Sequence, residues 1–174
     1  LGRNLELGYE WNGMNTWIVI PAFRESKVIG PILAALKQTY PQIIVVDDGS
    51  EDDTAGVARQ TGVAVVRHLI NRGQGAALRT GIEYALRHGA EAIVTFDSDG
   101  QHQISDIARL LEPITTNEAD VVLGSRFLQD GSNIPPLRRF ALRLAVLFTR
   151  FFSNISVTDT HNGLRAFNRQ AATD

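Results

Sequence analysis

The stretch Ile93-Val-Thr-Phe-Asp-Ser-Asp-Gly-Gln-His-Gln103 decides the fold prediction. Its apolar, partly β-branched beginning predicts a buried strand over 92–96. Asp97 and Asp99 follow, and side chains two residues apart on an extended chain point the same way. Open α/β sheets bind ligands just beyond such strand ends, where carboxylates and substrate phosphates together hold a hard cation. An ordinary Asp-rich turn is the competing interpretation of this stretch alone.

Composition narrows the class of protein. The length of 174 residues favours one domain, and 44% hydrophobic with 21% charged residues is typical of a globular chain with a sizeable core. A net charge of -2 gives no indication of nucleic acid as a partner. The absence of cysteine excludes disulfides, thiolate metal sites and a cysteine nucleophile. No uncharged run approaches the roughly 18 residues of a membrane span.

The remainder of the chain alternates predicted strands with predicted helices. This alternation indicates βαβ units and a largely parallel sheet. Ser50 and Asp53 have the spacing of a capping box that opens the second helix. The predicted strands are 16–20, 42–46, 63–67, 92–96, 119–124 and a short one ending at Phe167, and the predicted helices are 25–38, 50–61, 76–88, 105–116 and 135–152.

Residues 1–15 stand apart from this alternation. They show no clear period, and the only methionine, Met14, comes directly before the first predicted strand. We expect an N-terminal arm or a non-native leader there, followed by a single domain over 16–174.

Polar clusters follow three of the predicted strands. They are Pro21-Ala-Phe-Arg-Glu25, Asp47-Asp-Gly-Ser50 and Asp97-Ser-Asp99. Each alone is typical of a turn, or for Glu25 of the first turn of a helix, but the ends of parallel strands meet at one edge of a sheet. The convergence of all three therefore predicts a site, in which Asp48 could accept hydrogen bonds from a base or ribose.

Two arginine-containing segments lie further along the chain. Arg126 directly follows the strand that ends near Gly124, where it could clamp a phosphate bidentately or form a surface salt bridge. The helix 135–152 carries Arg139 and two further arginines on one stripe, opposite a broad apolar arc. Such a helix lies in a membrane interface, or packs on the domain's own core or on a second subunit of a homo-oligomer.

Six motifs in order resemble the inverting family 2 glycosyltransferases of GT-A fold, and most closely the polyprenyl-phosphate sugar transferases. The resemblance covers roughly residues 16–170. The motifs are Ile18-Val-Ile-Pro-Ala-Phe-Arg-Glu25, Val45-Val-Asp-Asp-Gly-Ser-Glu-Asp-Asp-Thr54, Asn71-Arg-Gly-Gln-Gly-Ala-Ala77, Phe96-Asp-Ser-Asp-Gly-Gln-His102, Gly124-Ser-Arg-Phe127 and Asp159-Thr-His-Asn-Gly-Leu-Arg-Ala-Phe167.

The resemblance implies a fold and an activity. The fold would be a GT-A three-layer α/β sandwich with a largely parallel central sheet. The enzyme would transfer a sugar with inversion from a UDP- or GDP-linked donor to a polyprenyl phosphate, using Mg²⁺ or Mn²⁺. It would act on the cytoplasmic face of a membrane, in peripheral contact with it, and would have no nucleic-acid partner.

The resemblance also implies residue roles. The nucleotide pocket would be lined by Pro21, Ala22 and Glu25, with Asp48 on the base or ribose. The metal would be held by Asp97, Asp99 and Gln101. The phosphates would be met by Arg126, with Arg139 as a helper, and the loop 159–165, including Arg165, would close near donor and acceptor. The groups expected to act in catalysis are Asp99, Arg126 and, as general base for a hydroxyl acceptor, Asp159.

The sequence departs from the family pattern in three places. Phe23-Arg24 stands where Tyr-Asn is usual, Ser98 replaces a frequent alanine, and relatives continue well beyond Arg165. We therefore expect the domain to lack a C-terminal segment. The alternatives are a family 2 enzyme that uses a saccharide hydroxyl as acceptor and a non-catalytic domain that binds nucleotide sugars.

Overall fold

The computed structural model describes residues 14–98, 103–124 and 163–174. The strands are β1 (Thr16–Ala22), β2 (Gln42–Asp47), β3 (Ala64–Arg67), β4 (Ala92–Thr95), β5 (Val121–Leu123) and β6 (Arg165–Asn168). The helices are α1 (Ile29–Leu36), α2 (Thr54–Gln60), α3 (Gln74–Arg87), α4 (Ile104–Thr115) and α5 (Arg169–Thr173). No helix within these ranges is long and apolar enough to cross a bilayer.

The strands form one sheet in the order β3-β2-β1-β4-β6-β5. The four strands β1 to β4 are parallel, whereas β6 runs antiparallel to both β4 and β5. The prediction of a largely parallel sheet is therefore confirmed. Strand order reverses at β1, which lies between β2 and β4, and ligands of open α/β sheets bind at such a switch point.

Helices cover both faces of the sheet. Because successive side chains of a strand point to opposite faces, Ile18 and Ile20 of β1 pack with α1 and α4, whereas Trp17 and Val19 pack with α3. Gly81 lets α3 approach closely, since an added Cβ would collide with the Val19 side chain. This arrangement confirms the predicted three-layer α/β sandwich.

Helix α1 begins four residues later than the predicted start at Glu25. Arg24 has a φ of 59°, in the left-handed region, which breaks any helix that would begin before it. The Arg24, Glu25 and Ser26 N–H groups donate to side chains of the segment 50–54, and the Glu25 carbonyl accepts from the Val28 and Ile29 N–H groups, so a tethered turn precedes the regular helix. The predicted helix start was wrong because the sequence pattern reveals neither this turn nor the long-range bonds that hold it.

The predicted capping box was also wrong. Helix α2 starts at Thr54 after Asp53, whose side chain makes no capping bond, and the Ser50 hydroxyl accepts instead from the Arg24 N–H at 2.9 Å. Strand β5 is shorter than the predicted 119–124, because the Glu118 and Ala119 N–H groups both donate to the Pro113 carbonyl.

An ion pair between a buried aspartate and a half-exposed arginine joins the ends of β2 and β3. The Asp47 side chain is fully buried, and its Oδ2 lies 3.2 Å from the Arg67 Nε in an ion pair that is too poorly aligned to be a hydrogen bond. Arg67 also donates from Nη2 to the Ser50 carbonyl at 2.6 Å. The half-exposed arginine therefore fixes the turn that carries Asp48.

Replacing Arg67 with methionine is expected to lower the free energy of unfolding by about 1–2 kcal/mol. Methionine keeps an apolar stem but leaves the buried Asp47 carboxylate without its cation. Urea unfolding measures the loss. The matched control is Arg79→Met, which removes an exposed pair with Glu83 and should change stability by less than about 0.5 kcal/mol. Equal losses in the two variants would contradict this account.

Candidate active site

A cavity of about 410 Å³ opens at the carboxyl ends of β1, β2 and β4. It brings together five residues that the sequence placed in the site, which are Pro21, Ala22, Glu25, Asp48 and Asp97. The predicted convergence of three strand ends on one edge therefore agrees with the geometry. The other lining residues are Phe23, Asn71, Gly73, Gln74, Ala77 and Ser98.

Asp48 is buried and held by three hydrogen bonds. Only 3% of it is exposed, and its Oδ1 accepts from His68 Nδ1 at 2.7 Å and from the Arg72 N–H at 2.9 Å. Its Oδ2 accepts from the Gly73 N–H at 2.7 Å. Burial raises the pKa of Asp48, but these three hydrogen bonds outweigh burial and hold the pKa below its ordinary value of 3.8. The carboxylate is therefore ionised at neutral pH.

The loop 21–25 is positioned by the segment that precedes α2. Backbone N–H groups of Arg24 and Glu25 donate to Ser50 Oγ and Thr54 Oγ1, both at 2.9 Å. The next N–H, of Ser26, donates to Asp52 Oδ2 at 3.2 Å. Three consecutive backbone bonds thus hold one wall of the cavity against the β2–α2 connection.

The Asp52 carboxylate gives this loop a pH dependence. Hydrogen bonds from Ser26, and then from Thr54, lower the pKa of Asp52 from 3.8 to about 2. A group whose pKa falls on folding stabilises the fold above its unfolded pKa and loses that effect as the pH falls through the folded value. The stabilisation is therefore present above about pH 4 and lost toward about pH 2.

The variant Asp52→Asn is expected to be less stable than the unmutated protein at neutral pH. The difference should shrink as the pH falls from about 4 to about 2, because the native carboxylate becomes protonated over that interval. Urea unfolding of both proteins at a series of pH values measures this difference. A difference that stayed constant down to about pH 2 would contradict the role given to Asp52.

Asp97 follows β4 and is half-buried at the cavity. Its Oδ1 accepts from Gln74 Nε2 at 3.0 Å. Gly163 packs directly against the carboxylate, so that an added Cβ would collide with it. Thr95 fixes the glycine by donating from Oγ1 to the Gly163 carbonyl at 2.7 Å.

The oxygen chemistry of Asp97 fits a divalent cation. Mg²⁺ typically binds one or two carboxylates and completes its shell with waters and substrate phosphates. Within the described residues no group of three His, Cys, Asp or Glu side chains forms a metal cluster. Asp99 and Gln101, the other predicted ligands, lie outside the described residues. Asp97 is therefore the one predicted metal ligand within the described residues, and its carboxylate is of the kind that binds Mg²⁺.

The amino end of α3 also faces the cavity. Gly73, at a φ of 88°, precedes the helix, and Gly73, Gln74 and Ala77 line the cavity wall. Helix amino ends present N–H groups and a partial positive charge, which favours phosphate groups. The cavity thus offers carboxylates at two strand ends and a helix amino end, which carries a partial positive charge.

Of the remaining predicted site residues, only Arg165 lies within the described part of the chain. Arg165 begins β6 opposite Thr95, and thus lies at the site edge of the sheet, but it is not among the residues that line the cavity. Arg126, Arg139, Asp159 and the predicted helix 135–152 lie outside the described residues.

Sequence reasoning missed several contributors to the site. Residues of the segment 71–74, which follows β3, line the cavity. Because β3 is parallel to β2, the carboxyl end of β3 lies at the same edge of the sheet as those of β1, β2 and β4. Applying the strand-end argument to this fourth strand would have found Asn71 and Gln74. No sequence pattern indicated a role for His68 in the site, because that role depends on its contact with Asp48, which is distant in sequence.

Two curated relatives cover most of the chain. A UDP-N-acetylglucosamine–dolichyl-phosphate N-acetylglucosaminyltransferase of Methanococcus voltae is 33% identical over 175 residues, covering 89% of this chain and 70% of that protein. A polyprenol monophosphomannose synthase of Mycolicibacterium smegmatis is 32% identical over 165 residues, covering 89% of this chain and 62% of that protein.

A solved structure supports the fold. Glucosyl-3-phosphoglycerate synthase from Mycobacterium tuberculosis, in complex with Mn²⁺, UDP-glucose and phosphoglyceric acid, gives a TM-score of 0.72 at 22% identity. The match covers 98% of this chain and 62% of that chain, so this chain spans less than two thirds of that enzyme. The similarity confirms the predicted fold, and the predicted kind of cofactor is present in that enzyme.

The family model described as Glycosyl transferase family 2 matches residues 17–174, nearly the whole chain. This match and the two curated relatives agree with the six motifs found in the sequence. The chain therefore belongs to glycosyl transferase family 2, as its sequence motifs predicted.

Proposed function

We propose that this domain transfers a sugar from a nucleotide diphosphate sugar to the phosphate of a polyprenyl phosphate, with inversion and with a divalent cation. The observation that carries the proposal is the single cavity that joins Asp48, the amino end of α3 and Asp97. One curated relative described above is named for transfer to dolichyl phosphate and the other for synthesis of polyprenol monophosphomannose, which supports the acceptor class.

The donor would lie along this cavity. Asp48 would accept a hydrogen bond from the base or ribose, and Pro21, Ala22 and Glu25 would form the wall beside them. The diphosphate would lie at the amino end of α3, where the helix dipole and N–H groups favour negative charge. This order places the anomeric carbon of the sugar beyond the diphosphate, on the Asp97 side.

Asp97, with Asp99 and Gln101, would hold Mg²⁺ or Mn²⁺ against the diphosphate. The bound cation would act as a Lewis acid that neutralises the charge of the leaving nucleoside diphosphate. Gln74 keeps the Asp97 carboxylate oriented through its amide N–H, and Gly163 leaves the space that the carboxylate occupies. These two residues would therefore position the proposed metal-binding group before a ligand arrives.

The reaction would be a direct displacement. An oxygen of the acceptor phosphate forms a bond to the anomeric carbon while the bond from that carbon to the nucleoside diphosphate breaks on the opposite face, which inverts the configuration. A phosphate acceptor is anionic at neutral pH and needs no general base. Arg126, assisted by Arg139, would stabilise the phosphates electrostatically. Asp159 would serve as base only if the acceptor were a hydroxyl.

A matched pair of acceptors tests the proposed function. The full chain is incubated with a labelled nucleotide sugar, Mn²⁺ and either a polyprenyl phosphate or the polyprenol of the same chain length. Label should enter the lipid phase with the phosphate and stay near background with the alcohol. Transfer to a saccharide hydroxyl but not to the lipid phosphate would overturn the proposed acceptor, and nucleotide binding without any transfer would indicate a binding domain.

We also propose that the segment 135–152, predicted from its sequence to be a helix, holds the domain peripherally on the cytoplasmic face of a membrane. Its arginine stripe would lie on anionic headgroups, while its apolar arc would enter the interface. The protein should then sediment with anionic vesicles, and reversing the charge of Arg139 and Arg143 should release it. Unchanged sedimentation of that variant would overturn the proposal.

A further inference from the structure

The hydrogen bonds of Asp48 leave the carboxylate a limited capacity for a ligand. An ionised carboxylate only accepts hydrogen bonds and offers about four lone-pair positions, two on each oxygen. Within the described residues, Oδ1 already accepts two bonds, from His68 and the Arg72 N–H, whereas Oδ2 accepts one, from the Gly73 N–H. Asp48 therefore retains one accepting position, on Oδ2.

Asn71 places a donor beside this acceptor. The Gly73 N–H donates both to Asp48 Oδ2, at 2.7 Å, and to Asn71 Oδ1, at 3.1 Å, so the two side chains meet at one backbone group. Because Asn71 Oδ1 accepts this bond, Nδ2 is the atom of that amide that can donate to a ligand, and Asn71 lines the cavity. The protein thus presents one acceptor and one amide donor side by side.

This pair of groups distinguishes between nucleobases. Uracil presents a single N–H between two carbonyls, so its N–H can donate to Asp48 while a carbonyl accepts from Asn71. Guanine presents two neighbouring donors, N1–H and N2–H₂, which pair well with both oxygens of a carboxylate. Since Oδ1 of Asp48 is already occupied, the guanine amino group would be left without a partner at this position.

We infer that this site selects uridine over guanosine diphosphate donors, and that His68 sets the selectivity by occupying Oδ1 of Asp48. The inference rests on the proposed role of Asp48 at the nucleotide base. His68 is a positioning residue, 7% exposed, that has no direct contact with the base in this arrangement. Its Nδ1 carries the proton of the bond to Asp48, because the ionised carboxylate cannot donate.

Thr80 provides a matched control within the same network. It contacts His68 from the other side, with its Oγ1 2.9 Å from Nε2, and it donates to the Ala76 carbonyl at 3.0 Å. A valine of similar shape at position 80 would loosen the imidazole without removing its bond to Asp48. Substitution of Thr80 therefore tests the support of the imidazole, whereas substitution of His68 tests the hydrogen bond to Asp48 Oδ1.

Titration of the full chain with UDP and with GDP in the presence of Mn²⁺ tests the inference. The unmutated protein should bind UDP roughly tenfold or more tightly than GDP, the effect of one unpaired polar group. GDP affinity equal to or above UDP affinity would overturn the inference and leave the proposed function intact. Binding of neither nucleotide would overturn the proposed function, and the inference with it.

Three variants test whether His68 sets the preference for UDP over GDP. His68→Phe removes the donor to Oδ1, and the preference for UDP should fall to about threefold or less. His68→Asn keeps an N–H donor at a similar position and should retain most of the preference. Thr80→Val should weaken the binding of UDP and of GDP by a similar factor. If His68→Phe kept the preference of the unmutated protein for UDP, His68 would not set the selectivity. An equal loss of that preference in all three variants would also overturn this role of His68.

Discussion

Replacing Asp97 with asparagine is expected to lower the rate of sugar transfer by roughly 10²–10³-fold, the size of effect seen when one preorganised electrostatic group is lost. Asparagine keeps the shape and an oxygen that can accept from Gln74, but it removes the negative charge that would hold a divalent cation. The measurement is initial transfer from the nucleotide sugar to the lipid phosphate over a range of Mn²⁺ concentrations.

Glu83→Gln is the matched control for this experiment. It removes one carboxylate from an exposed pair with Arg79 on α3, away from the cavity, and should keep transfer within about twofold. Transfer by Asp97→Asn within a few fold of the unmutated protein would show that Asp97 does not hold the cation. The same test applied to Asp99→Asn would decide the role of the second predicted carboxylate.

Replacing Gly163 with alanine is expected to reduce transfer by about 10²-fold while leaving the protein folded. The new Cβ would overlap the Asp97 carboxylate, of which even the farther oxygen would be only 2.6 Å away. The Gly163 backbone cannot easily retreat, because Thr95 holds its carbonyl and the Leu164 carbonyl accepts from the Gly124 N–H at 2.9 Å. The carboxylate must therefore turn away, and misplacement of about 1 Å costs such a factor in rate.

Gly30→Ala separates this effect from a general loss of flexibility. Gly30 lies in α1, away from the cavity, and its added Cβ would meet only the Val57 side chain at 3.2 Å. This variant should therefore keep its transfer rate. Thermal unfolding and transfer are measured for both variants. Full transfer by Gly163→Ala would contradict the packing of Gly163 on Asp97, and unfolding of that variant would place the effect on stability instead.

The parts of the fold that were predictable from the sequence depend on local patterns. Strands of a parallel sheet that are buried on both faces have continuous apolar sequences, as in β2 and β4. The alternation of such strands with helices predicted a largely parallel sheet. The same reasoning placed Asp48 and Asp97 on one edge, because parallel strands bring their carboxyl ends together. The cavity at the switch point between β1 and β4 follows from that topology.

The wrong predictions concern hydrogen bonds between distant residues. Ser50 fits a capping box locally, but its hydroxyl accepts from Arg24, 26 residues earlier in the chain. The start of α1 was misplaced because the helical period continues through residues 25–28, which form a turn tethered to side chains of the segment 50–54. Tertiary contacts override local propensity at both positions.

The site residues that sequence reasoning missed are those that act through a neighbour. His68 has no motif of its own in the argument from strand ends, and its value comes from the buried contact with Asp48. Gly163 was noted only as part of a polar loop, yet the geometry makes its missing Cβ a requirement for the placement of Asp97. Such roles depend on distances of a few ångströms between segments far apart in the chain.

The most direct test of the account is calorimetric titration of the chain with UDP, first with Mn²⁺ and then with EDTA, in the unmutated protein and in Asp97→Asn. The account predicts tight binding with Mn²⁺, a loss of roughly tenfold or more in affinity with EDTA, and little effect of EDTA on the variant. Equal affinity with and without the cation, in both proteins, would contradict a metal-assisted diphosphate site at Asp97.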